Sequence, residues 1–269
     1  MENKNDRKKD KELINNNLHL TINQMVDFFN KKYTRKEIKN FLSNNNISCQ
    51  KENKETRATR KQIAQRIQTP INHNYFKTWT HNMAYVLGIW YADGCIFTNK
   101  GRGYYFSIKL NKKDKYLLQL ILDDLNSLHN IYENNDGSVH ITISSKTIYQ
   151  DLIALGGKEN KSLSIILPNV PDEYMYDFIR GYFDGDGCVT YKKDRGYYSR
   201  YICSGSKEFI EGIYKYLKNN NVIEGSGIYN SKGCKIPRLL FNKKDGINFE
   251  KYMMKDNPYL YLKRKHNLE

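Results

Sequence analysis

Cysteine is too sparse and too scattered in this chain for a disulfide or zinc scaffold. Five occur among 269 residues: Cys49, Cys95, Cys188, Cys203 and Cys234. None forms a Cys-x-x-Cys pair, none stands at zinc spacing from histidine, and an odd number argues against a disulfide framework. Reduced thiols and a cytoplasmic setting are the expectation. Long apolar runs are missing too, so no stretch of ~18 residues reads as a membrane span. The opening residues, Met1 to Glu12, are charged and lack the apolar core of a secretory signal. Acid is also scarce: 29 Asp+Glu face 44 Lys+Arg, for a net charge of +15. Such an excess can serve solubility or follow from AT-rich coding bias. It also suits a polyanion, because neutralising phosphates releases counterions. With 39% hydrophobic and 27% charged residues, most of the chain is expected to be globular.

What the chain does contain is a near-repeat. Val86-Leu87-Gly88-Ile89-Trp90-Tyr91-Ala92-Asp93-Gly94 and Ile179-Arg180-Gly181-Tyr182-Phe183-Asp184-Gly185-Asp186-Gly187 are both apolar, helical in period, and end in Asp-Gly. The surrounding pattern repeats with them. Each copy reads helix, hairpin, helix, hairpin, helix, so the duplication is structural. In the first copy, helices are expected at about 82–92, 114–125 and 146–155, with strands at 95–98, 104–110, 129–133 and 138–144. In the second, helices begin near Tyr174, Lys207 and Gly246, with strands near 189–192, 197–203, 227–230 and 236–241. Ahead of the repeats, residues 1–50 read as a charged arm and two short helices in a helix-turn-helix-like unit. Thr34 and Glu37 have capping-box spacing at the start of the second helix. Residues 51–75 read as a basic linker, 76–170 as the first repeat and 171–269 as the second.

The strands alternate. Phe106, Ile108 and Leu110 are expected to face the helices, with Tyr105, Ser107 and Lys109 outward. His140 and Thr142 are expected outward between Val139, Ile141 and Ile143, and Tyr198 and Arg200 are placed outward in the second copy. A face of this kind suits a DNA major groove, where base edges differ in donor and acceptor pattern. Any half-buried antiparallel sheet would alternate in the same way.

The paired motif carries the chemistry. Gly88 and Ala92 lie four apart, as do Gly181 and Gly185, so each helix has a small-residue stripe that lets backbones approach closely. Packed together, two such helices would bring Asp93 and Asp186 to one place. That place is unfavourable for acids, at the negative ends of two helix dipoles and beside a like charge. Divalent cations would relieve it, and hard oxygen ligands suit Mg²⁺. Asp-Gly also simply ends helices, glycine being common there.

These segments resemble the LAGLIDADG motif of homing endonucleases in the double-motif, single-chain form. Phe76-Lys77-Thr78-Trp79 before the first motif is similar to the family's usual entry. Gly156, Lys161, Ser162, Leu163, Pro168 and Pro171 are similar to its approach to the second motif, and Tyr261-Leu262-Lys263-Arg264-Lys265 to its tail. The resemblance implies an α+β fold of two pseudo-symmetric αββαββα repeats forming a DNA-binding saddle, here with a small helical N-terminal region. It implies a site-specific, metal-dependent double-strand DNA endonuclease, with Asp93 and Asp186 as catalytic and metal-binding acids and Mg²⁺, or Mn²⁺ in its place, as cofactor. It implies basic residues near each scissile phosphate. Lys112 and Lys113 match that place in the first repeat. Ser204-Gly205-Ser206 stands there in the second, leaving Lys243 and Lys244 to supply charge. Lys113 and Lys243 are thus the expected catalytic lysines.

Arg102, Lys112, Lys192, Arg195, Arg238 and Asn242 join Tyr105, Ser107, Lys109, His140, Thr142, Tyr198 and Arg200 as expected DNA contacts. Tyr91 and Asp184, at equivalent motif positions, are read as structural. The expected partner is duplex DNA, bound by a monomer with no membrane association and no small-molecule substrate, near the nucleoid of a bacterial or phage-infected host. The family also includes intron maturases and catalytically inactive DNA-binding regulators. Retention of both acids favours the nuclease.

Overall fold

The computed structural model describes residues 14, 16, 20, 22–28, 33–44, 47–48, 69–99, 103–230 and 236–266. The chain divides into two compact units, Met1–Gln68 and Thr69–Glu269.

In the first unit, α1 (Ile22–Phe28) and α2 (Arg35–Asn44) share a small core of Ile14, Met25, Ile38 and Leu42. The capping box forms before α2. The Thr34 amide donates to the Glu37 carboxylate at 2.7 Å, and the Glu37 amide donates back to Thr34 Oγ1 at 3.3 Å. Phe28 of α1 is 51% exposed. Arg102 and the expected basic linker, apart from its last residues, lie outside the described residues.

The second unit holds both repeats. The first runs α3 (His81–Asp93), β1 (Gly94–Thr98), β2 (Tyr104–Asn111), α4 (Lys115–Asp124), β3 (Tyr132–Glu133), β4 (Ser138–Ser144) and α5 (Lys146–Ala154). The second runs α6 (Asp172–Asp186), β5 (Gly187–Lys192), β6 (Tyr197–Cys203), α7 (Lys207–Asn219), β7 (Gly227–Tyr229), β8 (Arg238–Phe241) and α8 (Lys243–Met253), and a short α9 (Lys263–His266) follows. Each repeat builds one antiparallel four-stranded sheet, ordered β1-β2-β4-β3 and β5-β6-β8-β7. The fold is therefore mixed helix and antiparallel sheet, twice over in the same order.

Local sequence explains the boundaries. Thr80 accepts from the Met83 amide and starts α3, while Ser145 and Ser206 cap α5 and α7 in the same way. Burial of Phe106, Ile108 and Leu110 opposite Val139, Ile141 and Ile143 fixes the β2–β4 register.

The second sheet corrects one expectation. Gly94 pairs with Ile108 in the first sheet, and its equivalent Gly187 pairs with Ile202 in the second. Arg200, opposite the buried Phe241, therefore faces the helices, with Tyr198 in the same parity. Arg200 is 7% exposed and pairs with Glu250 of α8 at 3.1 Å. The outward series of β6 is instead Ser199, Tyr201 and Cys203. Ser107 has the expected parity but is buried. Its hydroxyl donates to the Ile141 carbonyl at 2.7 Å, across to the neighbouring strand.

Candidate active site

The two motif helices α3 and α6 pack through their small residues. A methyl group added to Gly88 would fall 2.0 Å from the Phe178 carbonyl oxygen, and one on Gly181 would fall 2.1 Å from that of Tyr85. One on Gly185 would meet the Ala92 methyl at 2.3 Å and the Asp93 carboxylate at 2.9 Å. The seam thus runs backbone against backbone, and it sets Asp93 against the residue preceding Asp186.

Each acid is the last residue of its helix. Asp93 lies open beside a cleft of about 420 Å³ whose walls include Lys109, Asp136, Asp184 and Arg264, and Asp186 is half-buried. Enough protein surrounds Asp93 that lost hydration, with the Asp186 charge added, pushes its carboxyl up to about 6. Asp186 is also raised, again by lost hydration, against a hydrogen bond from Tyr182 that favours its charged form.

The cations acting on these acids are Lys161 and Lys265, with Arg264 also acting on Asp93. Both lysines are 5% exposed. Lys161, after the first repeat, donates to the Tyr91 carbonyl at 2.8 Å and sits over the Trp90 ring at 5.3 Å. Lys265, after the second, sits over the equivalent Phe183 ring at 5.5 Å. It donates to the carbonyls of Phe183, Asp184, Gly185 and Gly187 at 2.6 to 3.2 Å. Each lysine therefore caps the C-terminus of one motif helix, where orphan carbonyls and the dipole favour a cation. Burial lowers both lysines from their ordinary range.

In the sequence both residues stand in the segments flanking the motifs. The signal there is a lysine in a short turn after the last helix of each repeat. Lys113 is exposed in the turn after β2, and Lys243 is exposed at the start of α8, 5.9 Å over the Tyr197 ring.

The expected DNA contacts fall into groups. Lys109, His140 and Thr142 share the outward face of the first sheet, with Tyr105 in the same parity. Lys109 and Lys112 form exposed ion pairs with Asp136 and Glu133. Arg238 faces outward on β8, its guanidinium 5.2 Å over the Tyr201 ring. Lys192 and Arg195 are exposed at the β5–β6 hairpin. Asn242 caps α8, accepting from the Asp245 amide at 2.9 Å.

Residues 173–253 match the family model of the LAGLIDADG-like domain. The matched segment runs from the start of α6 to the end of α8, the body of the second repeat. The equivalent motif and element order in the first repeat fit the single-chain, double-motif LAGLIDADG form. Among solved structures, the homing endonuclease I-WcaI bound to its DNA recognition sequence shares this fold, with a TM-score of 0.50 at 18% identity over 72% of this chain and 90% of that one. Mesophilic variants of the homing endonuclease I-DmoI align with a TM-score of 0.48 at 19% identity, covering 65% of this chain and 96% of theirs. Among curated proteins, the DNA-directed RNA polymerase subunit Rpo1C of Methanocaldococcus jannaschii is 32% identical over 149 residues, 53% of this chain. An uncharacterized protein of the same organism is 34% identical over 117 residues, 41% of this chain. The chain spans 16% and 40% of the lengths of these two relatives.

Proposed function

We propose that the chain is a site-specific DNA endonuclease cutting both strands of a duplex with the help of a divalent metal. The observation that carries this reading is the seam, where two helix-ending aspartates from opposite motif helices converge, in a unit that also carries two outward sheet faces. Those faces bring Lys109, His140, Thr142, Tyr201 and Arg238, side chains that can meet phosphates and base edges.

The donor set fits a hard cation. The seam offers two carboxylates at the negative ends of two helices, both pushed toward their protonated forms by burial. Among the described residues no cluster of three or more His, Cys, Asp or Glu side chains gathers as a closed metal cage. An open, carboxylate-poor site suits Mg²⁺, which keeps waters and binds through one or two carboxylates plus substrate phosphates. Asp93 and Asp186 would hold it, and its chemistry there would be to acidify a water and take up charge on the departing oxygen. The protein's own part is to fix the two acids across the seam and to set Lys161 and Lys265 behind them. In this reading α1 and α2 add DNA contacts outside the repeats.

The test is cleavage of a randomised duplex library with Mg²⁺ by wild type, Asp93→Asn and Asp186→Asn. The expected result is a defined cut site for wild type and a loss in each variant beyond the roughly 10–100-fold typical of changes to residues that only hydrogen-bond to a metal's ligands, with binding retained. Sequence-specific binding without cleavage under any divalent metal would sink the nuclease and leave a DNA-binding regulator.

A further inference from the structure

The sixth position of the motif differs between the repeats, being Tyr91 in the first and Asp184 in the second, and in both it holds the segment that returns a lysine to the helix end. The Tyr91 hydroxyl donates to the Leu155 carbonyl at 2.8 Å, just ahead of the turn leading to Lys161. Asp184 makes a larger construction. It is 1% exposed, and its Oδ2 accepts from the Leu262 amide at 2.7 Å and the Tyr85 hydroxyl at 2.8 Å. Its Oδ1 lies 2.8 Å from His266 Nε2, and His266 Nδ1 lies 2.8 Å from Glu250 Oε1. The far oxygen of Glu250 takes the buried Arg200 guanidinium at 3.1 Å.

A histidine between two carboxylates must donate from both nitrogens, so His266 is held as the imidazolium. Its side chain is 1% exposed, and it immediately follows Lys265 on the one-turn helix α9. The imidazolium therefore fixes the backbone from which Lys265 reaches four carbonyls of the α6 terminus. A neutral or singly bonding side chain at 266 would take from Asp184 or from Glu250 a charged partner, a costly loss at groups so far removed from water.

We propose that Asp184, His266 and Glu250 form a positioning relay for Lys265, holding that lysine at the end of α6, where its charge reaches both acids of the seam. The inference goes beyond the endonuclease reading and rests on it only for its effect on cleavage.

The test uses the full chain and two readouts. Brief acylation with acetic anhydride, read by mass spectrometry, reports how well each lysine is enclosed. In wild type, Lys161 and Lys265 should both be protected relative to the exposed Lys112. In His266→Gln, which can serve only one carboxylate, Lys265 labelling should rise about tenfold or more through local opening while Lys161 labelling stays unchanged. Cleavage of the duplex should then slow while its binding is retained. Glu250→Gln should move both readouts in the same direction, and it replaces His266→Gln if that variant does not fold. Unchanged protection of Lys265 in a folded variant overturns the relay, and so does equal exposure of both lysines. If wild type cuts no duplex, the endonuclease reading fails, while the labelling still decides the relay.

Discussion

Gly88 lies against the backbone of Phe178 so closely that the smallest possible side chain would fall 2.0 Å from its carbonyl oxygen. Gly181 repeats the relationship against Tyr85 from the opposite helix. A rigid backbone cannot yield as a side-chain tip can, so Gly88→Ala or Gly181→Ala must push the helices apart. The expected cost is at least the roughly 1–3 kcal/mol of an overpacked core. Urea unfolding measures it, and a midpoint unchanged from wild type would contradict the packing described.

Asp93 retains its proton to about pH 6 in the folded chain, against an ordinary carboxylate near 3.8 when unfolded. The native state therefore binds more protons across that window, and ionisation of Asp93 opposes folding as pH rises through it. Metal-free Asp93→Asn should melt above metal-free wild type at pH 7, with the difference closing toward pH 4. Thermal melts with a chelator present check this. A variant less stable than wild type at pH 7 would show that the acid is satisfied as it stands.

His266 has the opposite sign. Its partners Asp184 and Glu250 outweigh the cost of burial and raise it to about 9, from about 6.5 in the unfolded chain. Its contribution to stability is complete below about pH 6.5 and is lost as pH rises through about 9. At ~1.4 kcal/mol per pH unit, the whole contribution is on the order of 3 kcal/mol. Melting curves between pH 6 and 10 should fall more steeply for wild type than for His266→Gln, the two converging at the alkaline end.

Arg200 and Lys109 were expected to play one role, and the structure separates them. Arg200→Ala removes one of the two cations on Glu250 and should cost less than the roughly 3–5 kcal/mol of breaking a fully buried pair, since Glu250 keeps His266 and some contact with water. Lys109→Ala, at an exposed pair, should change stability by less than about 1 kcal/mol. It should instead weaken DNA binding and reduce the salt slope by about one. Chemical denaturation and binding titrations at several salt concentrations distinguish the two.

The duplicated order of elements was legible because both repeats carry strong periodicities and clear turns, and β4 and β6 begin and end where their patterns do. The parity of β6 was not legible. Tyr197-Tyr198-Ser199-Arg200-Tyr201 has amphipathic side chains on both faces, so nothing local says which face is inward. The choice is made by Gly187 pairing with Ile202 and by Glu250, fifty residues on from Arg200. The lysines behind the acids were hidden for the same reason. Lys161 and Lys265 lie in single helical turns too short to show periodicity, and only folding brings them to helix ends formed much earlier in the chain.

The tail from Leu260 to His266 touches both repeats. Arg264 grips Asp114 with two nitrogens at 2.9 to 3.2 Å, Lys265 closes α6, and His266 joins Asp184 to Glu250. On the ribosome these residues emerge after every strand of both sheets. A nascent chain can fold its first repeat and even pair its motif helices while Asp114 still lacks its arginine, Asp184 its histidine and Glu250 one of its two cations. The seam is then completed last, as a step of synthesis, and a product stopped short of Leu260 carries both motif acids without the lysine that closes α6.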